Sequence, residues 1–80
     1  MYVSMKEILI HAHQNNYAVM EIKCVNMELS KAIIESAEEE HSAVILNVSP
    51  RQMKAHAYPE ILAPLVKGMA LRASVPVALN

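Results

Sequence analysis

Eighty residues make at most one small domain, which buries only about 60% of the surface its unfolded chain exposes, and the single cysteine, Cys24, rules out an internal disulfide brace. Lys and Arg number seven against eight Asp and Glu, a net charge of −1, so there is no basic field to draw nucleic acid or anionic lipid. Hydrophobic residues make up 54% of the chain, yet no apolar run approaches the roughly 18–20 residues that cross a bilayer, so the excess must be buried against protein, part of it outside this chain. A lone thiol without a secretory signal predicts a reducing, cytoplasmic setting, with Cys24 as a small buried apolar side chain rather than a nucleophile.

The first element is a helix. In "SMKEILIHAHQNN" Ser4 and Glu7 form a capping box, Met5, Ile8, Leu9 and Ala12 share one apolar face, and the polar run from Gln14 ends it. His11 and His13, two apart, fall on different sides and are surface or boundary residues, not a metal pair. "YAVMEIKCV" then reads as a strand, with Ala18, Met20, Ile22 and Cys24 on one face and Val19, Glu21, Lys23 and Val25 on the other. Asn26 is a suitable N-cap for a helix in which Leu29, Ala32, Ile33 and Ala37 form the apolar stripe. Glu38, Glu39 and Glu40 crowd its C-terminal end against the macrodipole, a solvated acidic face partly offset by His41.

"AVILNV", 43–48, is short and almost wholly apolar, the mark of a strand covered on both faces. "SPRQMKAHAY" reads as a loop. In "PEILAPLVKGMALRAS" Ile61, Leu62, Leu65, Val66 and Met69 make a helical stripe with Pro59 at the first position; Pro64 means either that the regular helix starts near Ala63 or that an earlier turn is kinked. "VPVAL" is a third strand, with Pro76 tolerated only near its start.

Strands separated by helices of this length pair through right-handed crossovers, so the fold class is α/β with a parallel sheet. Three such strands leave two unpaired edges, the last one apolar and uncovered. This predicts part of a larger α/β protein, or self-association as a homo-oligomer or aggregate through the open edges.

In a parallel sheet the working end lies beyond the carboxyl ends of the strands, here Lys23 to Asn26 and Ser49 to Gln52. Lys23 and Arg51 could bind an anionic substrate, although single loop cations are commonly just solvated, and Ser49-Pro50 could equally be an ordinary turn. Gly68 lies inside a helix, so there is no Gly-rich phosphate loop. His56 has no ligand partner at metal-binding spacing.

The runs "VSMKEILIHAHQNNYAV", "NMELSKAIIESAEEEHSAVILNVS" and "LVKGMALRASVPVALN" together resemble the start of the class II fructose-bisphosphate aldolases and their tagatose-bisphosphate relatives. The resemblance covers essentially the whole chain. It implies an incomplete (β/α)8 TIM barrel: a single partial domain over 1–80, with a leading helix and the first three strands. It also implies reversible cleavage of fructose 1,6-bisphosphate or tagatose 1,6-bisphosphate to dihydroxyacetone phosphate and glyceraldehyde 3-phosphate. In the family a zinc ion stabilises the enediolate formed on cleavage and an Asp moves the C4 hydroxyl proton. That Asp and a zinc-ligating His follow the strand resembling "VPVAL", so the resemblance assigns no catalytic residue and no metal ligand to these 80 residues, which are expected to bind no zinc and to be inactive alone.

For substrate binding it implies Ser49, which matches a serine contacting the phosphate or aldehyde portion, together with Asn26 and Lys23. The family's first strand ends in a pattern resembling Phe-Asn-Ile-Asn-Asn, and this chain has Ile22, Lys23, Cys24, Val25, Asn26, so Asn26 is kept and Lys23 stands in place of the substrate-binding first Asn. That replacement leaves open a second reading, a noncatalytic truncated or degenerate paralogue that self-associates.

Overall fold

In a computed structural model describing residues 1–56 and 58–80, the elements follow in the order α1 (Met5–Gln14), β1 (Met20–Lys23), α2 (Met27–Glu39), β2 (Val44–Asn47), α3 (Pro50–His56), α4 (Pro59–Arg72) and β3 (Val77–Leu79). The three strands form one parallel sheet in the order β1-β2-β3. This is the α/β class, and its open parallel sheet fits the amino-terminal segment of a TIM barrel.

Each helix starts where its cap dictates. Ser4 Oγ accepts from Glu7 N and Glu7 Oε2 accepts from Ser4 N, both at 3.1 Å, closing the capping box of α1. Asn26 Oδ1 accepts from Leu29 N at 2.8 Å to start α2. Beyond α1 and α2 the chain reverses through Asn16 (φ 56°) and His41 (φ 51°), left-handed positions at helix ends.

The sheet separates two apolar layers. On one face Cys24, Val44, Leu46 and Val77 pack with Ile34 of α2 and with Leu62, Val66 and Ala70 of α4. On the other, Ile45 and Ala78 pack with Ile8 of α1, and Val19 leans against them. The central strand β2 is therefore covered on both faces, as its apolar run predicts. Cys24 is fully buried, and burial pushes its thiol pKa up.

Several expectations change. β1 is shorter than the run from Tyr17 to Val25, because only Met20–Lys23 lies in register with Val44–Asn47. The buried face of α2 is Ser30, Ile34 and Ala37; Leu29 is exposed. Ser30 can occupy the core because its hydroxyl is satisfied locally, donating to Asn26 O at 2.8 Å. Within α4, Ile61 is exposed.

The segment after Ser49 is not a loop: it forms α3, with Ser49 Oγ accepting from Gln52 N at 3.2 Å and Pro50 at the first helical position. The main chain of His56 belongs to α3, while Ala57 lies outside the described residues. Pro64 neither delays nor splits α4, which runs unbroken from Pro59. A proline there forgoes one amide bond to the carbonyl four residues back, and the buried face of Leu62, Val66 and Ala70 outweighs that loss.

The apolar edge of β3 is also not wholly bare. Met1 to Val3 run alongside its start, with Val77 N donating to Met1 O at 2.7 Å and Val3 N donating to Val77 O at 3.0 Å.

Candidate functional site

A cleft of about 470 Å³ opens at the carboxyl ends of β1 and β2, lined by Lys23, Ser49, Arg51, Gln52 and Ala55. Its volume is in the range of small-molecule sites. Lys23 is the last residue of β1 and is in register with Asn47 of β2. Two residues further on, Ser49 begins α3 and presents its hydroxyl, which accepts from Gln52 N and keeps its own proton for a ligand oxygen. Arg51, from the first turn of α3, adds a second cation.

Gln52 is the residue that pattern reading misses. Its Oε1 is buried and has no donor among the described residues. No sequence signal identifies it, because its importance comes from α3 turning it back into the cleft. The cleft therefore combines two cations and a hydroxyl, a set suited to a phosphate group.

Asn26 sits differently. It does not line the cleft; its side-chain oxygen is taken by Leu29 N and its carbonyl by Ser30. Lys23 and Ser49 are thus brought together, and Asn26 holds the turn after β1 that leads into α2.

A larger cavity, about 840 Å³, lies at the other end of the sheet, lined by Val3, Glu7, His11, Tyr17, His41 and Pro76 among others. There His11 Nδ1 and Tyr17 Oη are hydrogen-bonded at 2.6 Å, and Glu7 is occupied in its cap. It opens at the amino ends of the strands, the end that carries stability rather than chemistry in this architecture, so size does not make it the candidate site. Among the described residues no three His, Cys, Asp or Glu side chains converge on a point that could hold a metal ion. No helix among them is long and apolar enough to cross a membrane.

The family model for class-II fructose-bisphosphate aldolase matches residues 3–80. The chain belongs to that family. Similar proteins include the fructose-bisphosphate aldolase of Mycoplasma pneumoniae, 38% identical over 82 residues covering 100% of this chain and 28% of the relative. Those of Staphylococcus aureus (strain N315) and Staphylococcus epidermidis (strain ATCC 12228) are each 38% identical over 80 residues, 98% of this chain and 28% of the relative. The chain therefore spans about 28% of the length of these aldolases. Within the family's barrel architecture, the cleft at Lys23 and Ser49 lies at the carboxyl-end face where active sites are built.

Proposed function

We propose that these residues are the amino-terminal part of a class II ketose-bisphosphate aldolase, and that the cleft at Lys23, Ser49 and Arg51 receives a phosphate of fructose 1,6-bisphosphate or tagatose 1,6-bisphosphate. The observation that carries this reading is the meeting of two cations and a free hydroxyl at the carboxyl ends of β1 and β2, in a chain of this family. Lys23 and Arg51 neutralise the phosphate, Ser49 donates to one of its oxygens, and Asn26 keeps the turn after β1 in place. In this reading 1–80 is one partial barrel domain of a cytoplasmic enzyme, inactive by itself and prone to self-association. The zinc ion of the family, which supplies electrophilic stabilisation of the enediolate, takes its ligands from elsewhere in the complete barrel.

The test is cleavage of both bisphosphates by the full-length protein, coupled to triose-phosphate detection, before and after chelation. Zinc-dependent cleavage of at least one supports the reading; activity that survives complete chelation overturns it. One observation favours a second reading. Lys23 occupies the position of a substrate-binding amide, and a noncatalytic paralogue would bind bisphosphate without cleaving it, with or without zinc.

A further inference from the structure

Three polar side chains meet across all three strands on the sheet face that α1 partly covers. Val19, Ile45 and Ala78 pack on that face. Alternation therefore puts Glu21, Asn47 and Asn80, each two residues further on, on the same side. Glu21 Oε1 accepts from Asn47 Nδ2 at 2.7 Å and from Asn80 Nδ2 at 2.5 Å. The latter pair is 59 residues apart in sequence.

Register shows where the carboxylate ends up. Lys23 lies opposite Asn47, and Asn80 follows the Leu46–Leu79 pair, with Asn80 N donating to Leu46 O and Val48 N donating to Asn80 O on either side of Asn47. Lys23, Asn47 and Asn80 thus form one level at the carboxyl end of the sheet, and Glu21 reaches up to it from the level below. The two amides pull its carboxyl below the usual range, Asn80 more than Asn47, so it is a fixed anion at neutral pH. Among the described residues nothing donates to its other oxygen, Oε2, and Glu21 makes no ion pair with Lys23.

A carboxylate with one oxygen saturated by two amides and the other open is an oriented acceptor for a hydroxyl. Resting on the phosphate reading of the adjoining cleft, we infer that Glu21 Oε2 accepts a hydrogen bond from a substrate hydroxyl, the one on C5 beside the phosphate-bearing C6, and so selects polyhydroxylated over deoxygenated substrates. Glu21 and Lys23 lie two positions apart along β1 with Ile22 between them, about 7 Å between their Cα atoms, and the carboxylate has closed part of that gap by rising to Asn47 and Asn80. A phosphate on Lys23 therefore brings the neighbouring carbon over the carboxylate. Asn47 and Asn80 are positioning residues, since they act through Glu21.

The test uses the full-length aldolase carrying this segment and two uncleavable probes, a hexitol 1,6-bisphosphate and its 5-deoxy counterpart, with dissociation constants from calorimetry. The unaltered protein should bind the hydroxylated probe about tenfold or more tighter, the worth of one hydrogen bond to a charged group. Glu21→Gln should bring the two probes to within about twofold by weakening the hydroxylated one alone. Should that variant fail to fold, Asn80→Ala, which frees the carboxylate without removing it, should narrow the ratio in the same direction. An unaltered protein that does not discriminate between the probes, or a Glu21→Gln ratio equal to the original, overturns the inference. Discrimination that depends on Glu21 in a protein that cleaves neither ketose bisphosphate overturns the aldolase reading and leaves the role of Glu21 standing.

Discussion

The 80 residues alone should not stay monomeric in water. Their accessible surface is 5504 Å², whereas a folded monomer of 8.9 kDa follows the size scaling to about 4,800 Å². The excess of about 700 Å² is close to the roughly 800 Å² that each partner gives up in a standard stable interface. Large apolar side chains contribute visibly: Met20 of β1 is 69% exposed, and Leu9 and Ile10 of α1 are 48% and 46% exposed. The outer edge of β1 has no strand partner among the described residues, which leaves backbone groups there unpaired. Sedimentation equilibrium should therefore give a weight-average mass of at least twice 8.9 kDa at micromolar concentration, rising with concentration. Replacing Leu9 and Met20 together by Lys, which removes apolar area and places charge beside the edge, should shift the distribution back towards the single chain. A monodisperse 8.9 kDa species with a cooperative thermal transition in the unaltered segment would refute the reasoning.

In the longest soluble form of the protein, Leu46→Ala should lower the free energy of unfolding by about 2–5 kcal/mol in urea titrations, because Leu46 is fully buried and the central strand cannot collapse onto the void. Leu9→Ala, at a half-exposed position, should cost far less in the same titrations. Glu38 Oε2 accepts from both Ser74 N (3.0 Å) and Ser74 Oγ (2.7 Å), the backbone bond first in effect, and its carboxyl is held below its ordinary 4.5. A depressed folded value means that the contact contributes fully above pH 4.5 and is lost as pH falls through the folded value, so the melting-temperature gap between Glu38→Gln and the unaltered protein should be present at neutral pH and close only in acid below 4.5. Lys23→Asn in the full-length protein should lower kcat/KM for the ketose bisphosphate it cleaves in the coupled assay, because it removes one of the two cations proposed to hold the phosphate; an unchanged or higher value takes Lys23 out of the phosphate site.

The parts of the fold that were legible in the sequence are those governed by local chemistry. Ser4 with Glu7, Asn26 and Pro59 mark the starts of α1, α2 and α4, and the apolar run of β2 announces burial on both faces. The start of α3 was also written locally, as Ser49 followed by Pro50, but its few apolar residues give no stripe, and a helix without a stripe reads as loop. Ser30 misled the reading of α2 because a hydroxyl looks like a surface group unless its bond to the preceding turn is known. Leu29 was the larger side chain, and the packing of Ile34 and Ala37 left it outside.

The site divides along the same line. Lys23 and Ser49 can be placed at the working end of the sheet from strand ends alone, since each closes or follows a strand whose direction the crossovers fix, although what they bind is implied only by the resemblance to the aldolases. Glu21 cannot. Alternation along β1 puts it on the face opposite Ile22, which by itself suggests a solvated carboxylate. Its partners are set by the register of β1 on β2 and of β2 on β3, and a slip of one residue in either pairing would turn Asn47 or Asn80 to the other face and leave the carboxylate alone. The oriented acceptor at Glu21 is thus a property of three strands in one register, and it exists only as long as the apolar sets of Ile45 and of Val77 with Ala78 hold that register in place.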